Sequence, residues 1–292
     1  MTQQLIANGI VAGSIYALTA LGFALIYGTA RFFHFAHAAV ITAGAYAVLF
    51  GCERLGLSVP LASLLAIAVC GVLGCAMEIC CYRPLRRRKA SPLVLLLASL
   101  GMYVVLQNLI SLMFGDNPRV ILVPQGDKPF SIMGARLMPV HMAIILTSLA
   151  LVLALAGVLR ATRVGRATRA VADDPTLALV CGVDAHRLLL FTFAIGSVLG
   201  GAAGILIALD VGMTPHMGMS ALLMGVVATI GGGVGSIPGA AAGGLLLGLA
   251  QHFSVWMIGS EWQDSIAFAI LLAFLIFRPY GIFGRKLGKV EI

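Results

Sequence analysis

The stretch Leu5-Ile6-Ala7-Asn8-Gly9-Ile10-Val11-Ala12-Gly13-Ser14-Ile15-Tyr16-Ala17-Leu18-Thr19-Ala20-Leu21-Gly22-Phe23-Ala24-Leu25-Ile26-Tyr27-Gly28 contains no charged residue. It exceeds the roughly 20 apolar residues that carry a helix across a bilayer, and it lacks the alternation of a barrel strand. Hydrocarbon offers no water to satisfy backbone N–H and C=O groups, so a segment of this kind is a helix. It is too long for the apolar region of a signal peptide, has no basic residues before it and leads into more apolar sequence. No cleaved signal is therefore expected.

Outward from this span, further apolar stretches lie at about 35–52, 58–81, 92–114, 138–159, 188–209, 219–231, 238–257 and 264–277. Together they predict an all-α polytopic membrane protein with about 8–9 transmembrane helices, some of them broken. Composition agrees. Of 292 residues, 60% are hydrophobic and 10% charged, whereas a soluble domain carries about 25% charged residues. The whole of 1–292 reads as one transmembrane domain.

Most of the 19 Lys and Arg fall in four places: Arg31; Arg83 with Arg86, Arg87, Arg88 and Lys89; Arg160, Arg163, Arg166, Arg169 and Arg187; and the tail Arg278, Arg285, Lys286 and Lys289. The others, Arg54, Arg119, Lys128 and Arg136, share their loops with Glu53, Asp116 and Asp127. Basic loops stay cytoplasmic, which predicts an N-terminus outside and a C-terminus inside. The net charge of +8 is then a matter of topology and anionic headgroups, and no nucleic-acid partner is implied. Cys70, Cys75, Cys80 and Cys81 share one span, and no histidine pair follows at zinc-ligand distance, so neither a disulfide nor a metal site is expected.

One segment is not hydrocarbon-like. Gly165-Arg166-Ala167-Thr168-Arg169-Ala170-Val171-Ala172-Asp173-Asp174-Pro175 is a charged, helix-competent island, and it continues through Leu177 to Asp184. It must sit in water and offers a patterned surface to a partner there. Asp174 or Asp173 suits a helix start before Pro175; a short helix from Thr176 to Val180 follows, and Gly182 suits its C-terminal turn.

Many of the 35 glycines are spaced small-xxx-small, as at Gly9 and Gly13, Gly196, Gly200 and Gly204, or Gly244 and Gly248, which lets membrane helices approach closely. Two places exceed packing. Gly231-Gly232-Gly233-Val234-Gly235-Ser236-Ile237-Pro238-Gly239 is expected to break a helix between two half-length apolar segments. Gly28-Thr29-Ala30-Arg31-Phe32-Phe33-His34-Phe35-Ala36-His37-Ala38 is a second break. Paired breaks point to a substrate path, where unwound backbone offers donors and acceptors.

Several classes are disfavoured. The chain has no G-x-x-x-x-G-K-[ST] phosphate loop, so it is not itself an ATP hydrolase, and it lacks G-x-S-x-G and H-E-x-x-H. His34 and His37 are three apart, on one helical face if that stretch is wound, but the remaining histidines are scattered, so a metal is not expected. Glu78 is expected at the interface in an ion pair. No carboxylate lies in the middle of an apolar span, which weakens an ion- or proton-coupled secondary carrier, the alternative from another class.

Five segments carry a family resemblance over nearly the whole chain. Gly13-Ser14-Ile15-Tyr16-Ala17-Leu18 resembles the opening G-S-I-Y-A-L of the LivH-type permeases of ATP-binding-cassette importers for branched-chain amino acids. His34-Phe35-Ala36-His37 resembles their N-F-A-H, with His34 for Asn and Ala38 for the following Gly. Glu78 with Tyr82-Arg83-Pro84-Leu85-Arg86 resembles E-R-x-x-Y-R-P-L-R, with Ile79 for the first Arg. Leu106-Gln107-Asn108 resembles L-Q-N, and Arg278-Pro279-Tyr280-Gly281-Ile282-Phe283-Gly284 resembles R-P-x-G-L-F-G.

The resemblance implies ABC importer permease architecture in a bacterial inner membrane. The implied partners are ATPase subunits, a second related permease and a periplasmic or surface solute-binding protein, with no cofactor. It also implies that the ATPase grips the loop at about 160–187, with Arg166, Arg169, Asp173, Asp174, Pro175 and Gly182 as coupling residues. The expected solute is a branched-chain or other hydrophobic amino acid; urea or short amides are the alternative within this type of permease. Tyr16, His34, His37, Gln107, Asn108 and Ser236 are the candidate path residues.

Overall fold

The protein is described from a computed structural model covering residues 2–121, 130–132, 134–233, 235–278 and 281–284. In chain order it comprises α1 (Thr2–Ala30), α2 (Ala36–Leu55) and α3 (Val59–Met77), which passes through a π-helical turn, Glu78–Tyr82, into α4 (Arg83–Arg87). Then follow α5 (Pro92–Phe114), a hairpin of β1 (Phe130–Ile132) and β2 (Ala135–Leu137), α6 (Pro139–Ala161), α7 (Arg163–Asp173) and α8 (Pro175–Val180). The chain closes with α9 (Ala185–Asp210), α10 (Met217–Gly232), α11 (Ile237–Ile258) and α12 (Gln263–Phe277).

The fold is the expected helical membrane protein, with the small antiparallel hairpin as an addition. Among the described residues, 7 helical stretches are long and apolar enough to cross a membrane. α10 and α12, at 16 and 15 residues, reach only about 24 and 22 Å at 1.5 Å per residue, less than the ~30 Å hydrocarbon core.

α1 is apolar all round and is buried along most of its length, as expected of a helix with no lipid-facing stripe. It packs most extensively on α11, then on α9 and α10. The small-residue spacing explains the α1–α11 seam. A Cβ placed on Gly13 would lie 2.9 Å from the Cα of Leu245, so the two backbones approach where only hydrogen fits. α5 and α6 lie at the periphery and present Leu97, Leu112, Leu146 and Leu153 outward, where lipid is the natural solvent.

Both expected breaks are present, and both are shorter than the sequence suggested. α1 continues to Ala30, Arg31 takes a left-handed φ of 56°, and α2 begins at Ala36. In the glycine run, α10 continues through Gly231 and Gly232, and α11 starts at Ile237, so the expectation of non-helical backbone over all of 231–239 is corrected. Gly233 ends α10 with φ 119°, and Pro238 falls in the first turn of α11, where its missing N–H costs nothing. α11 is also not half-length; Ile237–Met257 is long enough to span. The half-length partner is α10.

Candidate functional site

The charged island folds into two helices, α7 and α8. Thr162 caps α7, its Oγ1 accepting from the Gly165 N–H at 3.0 Å. Gly165, Thr168 and Val171 are buried while Arg163, Arg166, Arg169 and Asp173 face outward, so the basic residues form one exposed stripe. Of the two candidate caps, the structure selects Asp174: its Oδ1 accepts from Thr176 N–H at 2.8 Å and from Leu177 N–H at 3.0 Å. Pro175 occupies the first helical position. α8 ends in a double reverse bond, Gly182 N–H to Leu179 C=O and Val183 N–H to Ala178 C=O, each 3.0 Å. Gly182 takes φ 83° there, the left-handed turn that a side chain resists.

α8 buries Ala178 and exposes Leu177 and Val180, the latter 81% exposed. An apolar tip on an exposed short helix, beside a basic stripe, has the composition of a docking surface. Asp184 then caps α9, accepting from His186 N–H at 3.0 Å and Arg187 N–H at 3.2 Å. Those backbone donors, Arg187 foremost, hold its carboxyl below the ordinary carboxylate range. The platform is tied to the bundle by Arg31, whose guanidinium donates to the Ala172 carbonyl of α7. In the sequence Arg31 reads as a topology signal; its left-handed backbone position is visible only in the fold.

The candidate path residues do not converge on one site. His34 and His37 are fully buried beside each other, ring centroids 5.9 Å apart. The Tyr82 hydroxyl lies 3.0 Å from His34 Nδ1, while His34 Nε2 and both His37 nitrogens have no partner among the described residues. Gln107 lies 2.8 Å from His216 Nδ1, joining α5 to the start of α10. Asn108 is exposed and turns back to its own helix, donating to Val104 C=O at 2.7 Å. Ser236 caps α11, accepting from Gly239 N–H at 3.2 Å.

Tyr16 lines a cleft of ≈ 490 Å³ at the end of the bundle where α9 finishes, opposite the island. Among the described residues its polar lining is Tyr16, Asp210, Ser220, His252, Gln263 and Asp264, and its apolar lining includes Ala12, Ile15, Ile207, Ala221 and Met224. His141 Nε2 lies 3.3 Å from Asp210 Oδ1. Asp210 and Asp264 were missed in the sequence because they stand at the ends of apolar spans, and only the fold brings those ends together. Their signal was the scarcity of acid itself, 11 Asp and Glu in the whole chain.

Two further motifs find partners. Glu78, fully buried in the π-helical turn, is ion-paired with Arg86. The C-terminal glycine-rich segment packs onto the α10–α11 break: Ile282 N–H donates to Gly231 C=O and Phe283 N–H to Gly232 C=O, both 3.0 Å. Pro279, Tyr280 and the basic residues from Arg285 onward lie outside the described residues, as do Asp127 and Lys128.

The family described as "Branched-chain amino acid transport system / permease component" matches residues 5–275. The chain is 35% identical over 297 aligned residues to the high-affinity branched-chain amino acid transport system permease protein BraD of Pseudomonas aeruginosa, covering 97% of this chain and 95% of that protein. The corresponding LivH protein of Salmonella typhimurium is 33% identical over the same shares. A probable LivH protein of Methanocaldococcus jannaschii is 26% identical over 99% of this chain and 95% of its own. Among solved structures, one titled PsaBC from Streptococcus pneumoniae in complex with Fab shares the fold. Its TM-score is 0.54 and its identity 13%, over 95% of this chain and 91% of that one.

Proposed function

We propose, from the premise that this chain belongs to the branched-chain amino acid transport permease family, that it is the membrane-spanning subunit through which an ATP-driven importer passes branched-chain amino acids. ATP hydrolysis is left to partner subunits. The observation that carries the reading is the platform of α7 and α8: a rigidly capped pair of helices, basic on one face and apolar at its tip, bonded to the central helix through Arg31. Movement imposed on such a platform is delivered to α1, the helix on which α9, α10 and α11 pack.

In this reading the platform faces the cytoplasm of a bacterial cell and is held by ATPase subunits, with Arg166, Arg169, Asp173, Asp174, Pro175 and Gly182 forming the contact. The N-terminus is outside and the C-terminus inside. A second related permease completes the pore, and a solute-binding protein delivers amino acids to the outer face, where the Tyr16 cleft opens. His34, His37 and Gln107 form polar packing beside the path, between helices that shift during transport.

The test is reconstitution of this chain with its ATPase subunits, second permease and binding protein in vesicles. ATP-dependent uptake of leucine that excess urea does not inhibit is expected. Uptake driven by an ion gradient without ATP, or uptake of urea in place of leucine, would overturn the reading.

A further inference from the structure

The cleft around Tyr16 is chemically lopsided. Among the described residues its wall carries two carboxylates, Asp210 and Asp264, and no Lys or Arg. Asp210 has His141 beside it, whereas Asp264 is exposed at the first turn of α12 and makes no ion pair with a described residue. Ile15, Ile207, Ala221 and Met224 line the same space. Behind the wall, fully buried Gln251 donates to Gln263 C=O at 3.2 Å and to Met224 Sδ at 3.4 Å, and its Oε1 has no partner among the described residues. The lining of this cleft therefore combines carboxylates and other polar groups with apolar side chains.

A cavity of ≈ 490 Å³ lies within the size range of small-molecule sites, about 300–1,000 Å³. Its charge selects among solutes. A carboxylate beside a low-dielectric wall repels anions and attracts an ammonium group. A neutral amide such as urea can hydrogen-bond a carboxylate but brings no opposite charge to it and no aliphatic group for the apolar residues. A zwitterion with an aliphatic side chain suits this mixed lining: its ammonium can pair with the acids, its side chain can pack on the apolar residues, and its carboxylate can accept from the Gln263 amide or the Tyr16 hydroxyl.

Resting on the transport reading above, we propose that this cleft is a binding station for the amino acid within the permease, with Asp264 as the principal partner of its ammonium group. The solute is thereby recognised twice, once by the binding protein that delivers it and once, weakly, by the subunit that conducts it. The second recognition excludes uncharged and anionic solutes of the same shape.

The experiment uses the complete importer in vesicles, carrying Ser220→Cys in a background freed of the native cysteines. Labelling of that thiol by an impermeant reagent is followed with millimolar leucine or with isocaproate, which has the same branched tail and no ammonium. Leucine is expected to slow labelling and isocaproate to leave it unchanged. Asp264→Asn should abolish protection and lower leucine uptake about tenfold or more, the loss expected of one charge-assisted contact, while assembly with the ATPase is retained. Asp264→Glu should restore part of both. Equal protection by the two compounds, protection by neither, or wild-type uptake by Asp264→Asn overturns the proposal. Leucine uptake by the wild type without protection defeats the cleft alone; protection without any ATP-driven uptake defeats the transport reading and leaves the cleft standing.

Discussion

Gly13 and Gly248 meet where α1 crosses α11, with Gly244 against Ala17 one turn along. Replacing Gly13 with Val pushes a branched side chain into the Leu245 backbone, which cannot rotate away as a side chain would. Overpacking of this kind costs about 1–3 kcal/mol, so Gly13→Val should lower the thermal midpoint of the purified protein, whereas Gly101→Val, at an open position, should leave it unchanged. A midpoint unaffected by Gly13→Val would contradict the close seam. This contact was legible in the sequence, because small residues four apart in an apolar span have few other uses. The roles of Ser236 and Asn108 were less legible. A polar side chain in an apolar chain is as ready to cap or turn back onto its own helix as to face a solute, and sequence does not separate the two uses. Asp174 against Asp173 was open for the same reason, until the backbone geometry chose.

At the scale of elements, the α10–α11 break is where two sequence motifs turn out to be one structure. The glycine run supplies the carbonyls of Gly231 and Gly232, and the C-terminal segment supplies the amides of Ile282 and Phe283 that bond them. A Cβ on Gly233 would lie 2.8 Å from Gly284 Cα. Gly233 and Gly235 both have positive φ, 119° and 85°, which a β-branched residue adopts only under strain. Each such strained residue costs about 1–3 kcal/mol. Gly233→Val with Gly235→Val should therefore displace the C-terminal segment and suppress uptake more strongly than it lowers assembly, measured as uptake per assembled complex. Normal uptake by the double variant would make the run a packing device only. The existence of this break was readable from glycine and proline content. Its narrowness was not, since helix ends absorb glycines whenever neighbours hold them, as Gly239, Gly243 and the tail do here.

At the scale of the whole molecule, hydropathy alone yielded the span positions, and the order of the five motifs yielded the family. What hydropathy could not yield is which span ends come together. The Tyr16 cleft draws on α1, α9, α10, α11 and α12, whose polar residues are scattered from Tyr16 to Asp264 along the chain. The link between platform and core is equally non-local, joining Arg31 to Ala172. The central claim is that α7 and α8 couple this bundle to an ATPase. Its most direct test is the ratio of leucine imported to ATP hydrolysed by the reconstituted importer, compared between wild type and Arg166→Glu with Arg169→Glu. Reversing the exposed basic stripe leaves the buried face of α7 untouched, so membrane insertion is expected to be normal while leucine-stimulated hydrolysis and uptake are both abolished. Stimulated hydrolysis and uptake at the wild-type ratio, in complexes carrying both reversals, would contradict the account.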